Sequence, residues 1–213
     1  MKTQDLVSRL AASGAVVDRS AMRRRFWSPI AWAVVVCVVL LLAFVGPRDD
    51  WRAASLLPMF WLKLAFPAAT AIAATMLLRA LGHPGARTRA AAASTLLPFA
   101  LVWMMALLVI AGSHAGDRVA LLLGHSWLQC LLTIPALSMP AFALAFSAAR
   151  TLAPTRLALS GAIAGLVAGA VAALAYALHC DEMQAPFLAV WYALGMLAPA
   201  ALGWLAGPRL LRW

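Results

Sequence analysis

The sequence predicts an all-α integral membrane bundle of six transmembrane helices, and three observations carry that prediction. Of the 213 residues, 65% are hydrophobic and only 11% charged, against roughly 45–50% and 25% in ordinary soluble domains. The apolar residues gather into uncharged stretches of about 20, the length that crosses a bilayer core, instead of forming stripes beside charged faces. The basic residues flank these stretches and hardly enter them.

Residues 1–25 read as a polar tail ahead of a transmembrane domain over 26–213. Thr3 can cap a short helix through residue 12, with Asp5 in the first turn, where the helix dipole favours an acid, and Gly14 beyond its end. Leu6, Val7 and Leu10 fall on one face of that helix. So short a tail cannot bury a core of its own. It is left to be disordered, to lie on the membrane, or to lay its apolar face into the groove of a cytoplasmic partner. The Arg23-Arg24-Arg25 cluster marks a headgroup boundary.

Apolar runs bounded by charge, Gly or Pro place the spans at 26–46, 56–78, 92–112, 127–149, 157–178 and 186–207. The polar segment before the first run is too long for a cleaved signal peptide, so that run is expected to stay as an anchor. Lys63 is a charge inside the second span, within about two turns of its start, and is expected to snorkel to the headgroups. Gly161, Gly165 and Gly169 line one face of the fifth span as a packing ridge, and Pro67, Pro135, Pro140 and Pro199 kink the helices that hold them. Trp127-x7-Pro135-Ala136 and Trp191-x7-Pro199-Ala200 match, with Trp61-x5-Pro67-Ala68 similar, at a period of about 65 residues. Three successive helical hairpins would account for it.

Basic residues resist translocation, so the loops set the orientation. Thirteen Lys and Arg fall on the side of the N-terminus, the even-numbered loops and the C-terminus, against Arg48, Arg52 and Arg118 on the other. Both termini are therefore expected in the cytoplasm, in the inner membrane of a bacterium. The formal charge of +10 then reflects anchoring to an anionic lipid bilayer and not contact with nucleic acid, whose binding motifs are absent.

The spans offer little polarity beyond Lys63, Thr70, Thr75, Thr133, Ser138 and Tyr176. That argues against an ion-coupled carrier, which needs ionisable groups at mid-depth. No nucleophile with a base, His-Glu-x-x-His or carboxylate pair lies within a span, so the chain does not read as an enzyme. Chemistry gathers at the outer face instead. His179-Cys180-Asp181-Glu182 closes the fifth helix, while His125 and Cys130 open the fourth. Cys130 and Cys180 suit a disulfide if their Cα atoms come within about 7 Å. With His125, His179, Asp181 or Glu182 they also suit a transient metal ion, zinc or softer, with no obligatory cofactor expected. Cys37, in mid-span, reads as a small hydrophobe.

The opening Met1-Lys2-Thr3-x-Asp5-Leu6, the Leu10-Ala11 pair, and Leu178-His179-Cys180-Asp181-Glu182 leading into Ala185-Pro186-Phe187-Leu188 and Trp191-Tyr192 resemble the NrsF-type membrane anti-sigma factors. These are negative regulators of an extracytoplasmic-function (ECF) sigma factor of the sigma F kind. The resemblance implies that Cys130 and Cys180 carry the family's outward cysteine pair, and that Asp5, Leu6, Val7 and Leu10 bind the sigma factor, since no zinc-binding anti-sigma domain is present. The expected function is to hold that factor inactive and release it under metal or oxidative stress. The alternatives are a small transporter or metal permease, or a structural membrane subunit. Self-association is left open.

Overall fold

A computed structural model describes residues 3–12, 19–83, 86 and 88–212, with backbone alone at residues 6, 9–12 and 19. In chain order the helices are α1 (Thr3–Ala12), α2 (Arg19–Phe44), α3 (Trp51–Ser55), α4 (Pro58–Leu81), α5 (Thr88–Gly112), α6 (Arg118–Leu123), α7 (Trp127–Arg150), α8 (Leu157–Tyr176), α9 (Ala185–Phe187) and α10 (Ala193–Leu210). A π-helical turn, Leu188–Tyr192, joins α9 to α10. Six helical stretches are long and apolar enough to cross a membrane: Ser20–Phe44, Pro58–Leu81, Thr88–Gly112, Arg118–Arg150, Leu157–Tyr176 and Ala185–Leu210.

The tail helix runs Thr3–Ala12, with Thr3 as its first residue instead of its cap and Asp5 in its first turn. Gly14 and Arg87 lie outside the described residues, as do the side chains of Leu6 and Leu10. Helix α2 begins at Arg19, well before the apolar run, so Arg23, Arg24 and Arg25 are helical. Arginine is a good helix former, and its guanidinium can remain among headgroups while its backbone continues the ladder.

The bundle is built around α8, whose residues from Ser160 to Tyr176 are almost all buried. Helices α10, α7, α4 and α2 pack against it, while α5 rests on α4 and α9. Three sequential hairpins do not describe this arrangement. Among the described residues, α8 and α10 form an intimate hairpin, whereas α2 lies against α7 and α8 and not along α4. Lipid is as apolar as leucine, so helices associate where small residues permit close approach and not by sequence adjacency.

The α8 glycines set that approach. A Cβ on Gly161 would collide with the backbone of Gly203, one on Gly165 with the backbone of Pro199, and one on Gly169 would fall 2.7 Å from the Met196 carbonyl oxygen. The hydroxyls of Thr70, Thr75, Thr95 and Ser138 each donate to a carbonyl of their own helix, those of Phe66, Ala71, Ala91 and Pro135 respectively. Backbone acceptors thus absorb the polarity of these spans.

The two ends of the bundle differ. The C-termini of α2 and α8 and the N-termini of α4, α7 and α9 share one end, which carries Cys130 and Cys180. The opposite end carries the start of α2, the loop between α7 and α8, and the end of α10. The tail helix precedes α2 and so leads into that second end.

Candidate functional site

Cys130 lies one turn into α7, and Cys180 follows α8 in the irregular segment before α9. Both thiols are free and buried, and their Sγ atoms are 3.9 Å apart. Two helix ends bring the sulfurs together. The α8 chain stops in a turn in which the Cys180 N–H donates to the Tyr176 carbonyl at 3.1 Å. At the start of α7 the Cys130 N–H donates to the Ser126 carbonyl at 3.0 Å. Cys130 Sγ also stands 3.6 Å from the Tyr176 hydroxyl. Tyr176 and Tyr192 are fully buried beside the pair, their rings 6.2 Å apart.

Lys63 does not reach the headgroups. It is completely buried, and its Nζ donates to the Cys180 carbonyl at 2.6 Å and the Glu182 carbonyl at 2.8 Å. It lies 5.6 Å from the centroid of the Tyr192 ring, within cation–π range. Position in the sequence gives a residue's depth below the end of its helix and not the face it occupies, and this face of α4 turns into the bundle. Burying an ammonium costs several kcal/mol, which hydrogen bonds from a charged donor offset at about 1.5–3 kcal/mol each. Among the described residues no carboxylate lies within ion-pair distance of Nζ.

The segment carrying Cys180 is tied to α2 as well. Arg48 donates from its backbone N–H to the Leu178 carbonyl at 3.3 Å and from Nη1 to the Cys180 carbonyl at 3.4 Å. His179 Nδ1 is 3.0 Å from the Gly46 carbonyl oxygen. Asp50 pairs with Arg48 through both carboxylate oxygens, at 2.5 and 2.8 Å. That contact raises the Arg48 pKa and lowers that of Asp50, chiefly through the hydrogen bond they share. Glu182 turns toward the start of α7, where its Oε1 accepts the His125 backbone N–H at 2.5 Å. Gly124 makes that contact possible: its φ is +57°, and a Cβ would fall 2.6 Å from Glu182 Oε1.

The Cys180 sulfur is held below its ordinary pKa, first by the hydrogen bond from the Cys130 thiol and then by the Lys63 charge, against the opposing effect of burial. The Tyr192 hydroxyl is buried without a partner in hydrogen-bonding geometry, and its smaller influence on the same sulfur is that of a nearby dipole. Cys130 has one proton to give. The positive charge beside Cys180 favours giving it to that sulfur over the tyrosine oxygen.

Of the six residues read as potential metal ligands, the two cysteines approach each other, and separately His125 Nδ1 stands 3.6 Å from Glu182 Oε1. Among the described residues no three His, Cys, Asp or Glu side chains form a metal-holding group. The His125 side chain is fully exposed, Asp181 is exposed, and His179 and Glu182 are engaged as described. A cleft of about 500 Å³ lined by Arg48, Asp50, His125, Gln129, His179 and Cys180 opens at this end of the bundle. In the tail, Asp5 and Val7 are exposed. Cys37 is fully buried and donates weakly to the Leu137 carbonyl at 3.4 Å.

Sequence reasoning did not anticipate Lys63 or Tyr192 as parts of the site. A charge and a phenol in otherwise apolar helices were the available signals. The π turn that carries Tyr192 leaves no mark in composition, although such turns recur at functional sites.

The family model described as "Negative regulator of sigma F", NrsF, matches residues 10–213. The chain belongs to the NrsF family. It is 41% identical over 213 residues to a protein of Azospira oryzae named probable anti-sigma-F factor NrsF, with all of both chains covered. Identity is 35% over 214 residues, again covering both chains completely, to the anti-sigma-F factor NrsF of Caulobacter vibrioides. No solved structure matches. NrsF proteins are anti-sigma factors, regulators and not enzymes.

Proposed function

We propose that the chain holds an ECF sigma factor at the inner membrane through its cytoplasmic N-terminal segment, and releases it when an oxidant in the periplasm joins Cys130 to Cys180. The observation that carries this reading is the sulfur pair, 3.9 Å apart at the end of the bundle opposite the tail. The thirteen-to-three distribution of basic residues supports placing the cysteine end outside. Hydroxyls turned onto their own helices favour a regulator over a permease, which would direct them into a pathway.

With a peroxide as oxidant, the Cys180 thiolate attacks one peroxide oxygen. An S–O bond forms as the O–O bond breaks, hydroxide leaves, and Cys180 becomes a sulfenic acid. The Cys130 sulfur then attacks Cys180, the S–S bond forms as the S–O bond breaks, and the departing hydroxyl takes the Cys130 proton to leave as water. Two electrons pass from the sulfur pair to the peroxide. Closing the sulfurs to about 2.05 Å pulls the Cys180 segment toward α7, and release follows if the tail binds its partner only in the open-pair arrangement.

The test is a sigma-dependent reporter in cells challenged with peroxide. The native chain is expected to lose two thiols as the reporter rises. Cys130→Ser/Cys180→Ser is expected to hold the reporter at baseline, and normal induction in that variant sinks the sensing reading. A soft cation bridging the sulfurs is the competing form of the site, recognised by induction with both thiols recoverable on chelation. Leu6→Asp or Leu10→Asp is expected to release the partner without stress, and continued repression by both would remove the tail from the mechanism.

A further inference from the structure

We propose that Lys63 is the positioning residue of this site: it holds the Cys180–Glu182 segment so that Cys180 faces Cys130, and it makes Cys180 the attacking sulfur and Cys130 the resolving one. The assignment deepens the thiol-switch reading and rests on it. The geometry carrying it is independent of how the chain signals.

Three features converge on Lys63. Its ammonium is wholly buried and donates to the carbonyls on either side of Asp181, those of Cys180 and Glu182, at 2.6 and 2.8 Å. One rigid helix thereby fixes a segment that has no helical ladder of its own. No carboxylate among the described residues pairs with Nζ, so its positive charge meets carbonyl dipoles, the Tyr192 ring and the nearby sulfurs, with no acid to neutralise it. In a medium of low dielectric such a charge strongly favours a negative one forming beside it. Of the two sulfurs, Cys180 belongs to the residue whose carbonyl Lys63 grips, and the outer cleft is lined by Cys180 and not by Cys130. Charge and access therefore select the same sulfur, while Cys130, fully buried in α7, is placed to resolve.

The division of labour follows from the electron flow. The attacking sulfur must carry a lone pair as thiolate and meet the incoming peroxide. The resolving sulfur needs only to reach the sulfenic acid, and it contributes the proton that leaves with the hydroxyl as water. A thiolate at Cys180 is stabilised by Lys63, and a hydroxide departing from the peroxide can leave through the cleft.

The experiment uses the full-length chain in detergent micelles, treated with one equivalent of iodoacetamide, a small neutral alkylating agent whose thioether product the neighbouring thiol cannot displace. The attacking thiolate forms a carbon–sulfur bond as the carbon–iodine bond breaks and iodide leaves, so mass mapping identifies the sulfur that reacted first. The native chain is expected to label at Cys180 at least about tenfold faster than at Cys130. In Lys63→Met the Cys180 rate is expected to fall by about tenfold or more, with Cys130 unchanged, while Lys63→Arg, which keeps the charge, retains the preference. Faster labelling of Cys130 in the native chain overturns the proposal without any variant, as does an undiminished Cys180 preference in a monodisperse Lys63→Met chain. The assay needs no sigma factor and no stress. If the double-serine variant still signals in cells while the labelling preference depends on Lys63, the sensing reading falls and the assignment of Lys63 stands.

Discussion

The seam between α8 and α10 and the end of the bundle that carries the cysteines are both buried and tightly packed, yet opposite principles hold them together. Along the seam glycine faces backbone, and the contacts at Gly161, Gly165 and Gly169 are van der Waals contacts between main chains. At the cysteine end an ammonium, a guanidinium, two thiols and two phenols crowd around one carbonyl-rich segment. Shape complementarity has one solution and resists change. A polar cluster can be rearranged by adding or removing a single charge or bond, because its members depend on one another. Within one fold, the first kind of contact suits a frame and the second a trigger.

The largest effect expected is on the frame. Gly165→Val would drive a branched side chain into the Pro199 carbonyl, and overpacking of this kind costs about 1–3 kcal/mol or more. Thermal unfolding of the purified protein should show a large drop in midpoint. If the midpoint is unchanged, α8 and α10 can separate freely and the contrast with the cysteine end fails.

A smaller effect concerns the thiols. The Cys180 pKa is depressed in the folded chain, so its thiolate contributes stability that is fully present above the ordinary thiol value of about 8.5 and is lost as pH falls through the folded value. Its alkylation rate should accordingly stay level from mildly alkaline pH through neutrality and decline only well below the ordinary thiol value. A rate that already falls tenfold per unit below pH 8 would show an ordinary thiol, and the cluster would then lack the polarisation described.

The smallest effect lies at the rim. Asp50 is exposed, and its pKa is lowered chiefly by the hydrogen bond from Arg48. Its pairing is present above the usual carboxylate value and is lost as pH falls through the lower folded value. Asp50→Asn should leave the melting midpoint almost unchanged at neutral pH, since exposed pairs contribute little. A marked loss would make this ion pair part of the cluster and not its edge.

The contrast also explains what the sequence made legible. Six apolar runs, and three glycines four residues apart, announce the spans and the seam directly, because bilayer thickness and helical periodicity are written in length and spacing. The cysteine pair could be suspected because both residues lie near helix ends on one side. Lys63 was misread because length and hydropathy report depth and not azimuth, and its partners are carbonyls, which every residue has. The short helices α3 and α6 were missed for lack of length to show a period. The hairpin repeat suggested sequential pairs, yet Trp127 and Trp191 of that repeat meet across α7 and the sixth span, with ring centroids 5.0 Å apart.

Helix α2 runs for 26 residues with Pro29 inside its first half, about 39 Å at 1.5 Å per residue. It follows the tail at one end, and just beyond its other end Gly46 and Arg48 are stitched to Leu178, His179 and Cys180. That makes it a lever whose load and handle are joined by a single stretch of main chain. A tilt of about 5° around its middle would carry each end by roughly 1.7 Å, comparable to the helix displacements that accompany switching in other proteins. Such a lever needs no relay of side chains through the bilayer. Under the thiol-switch reading, the run of α2 beyond Pro29 would carry a movement beside the sulfurs to the end of the bundle that the tail precedes.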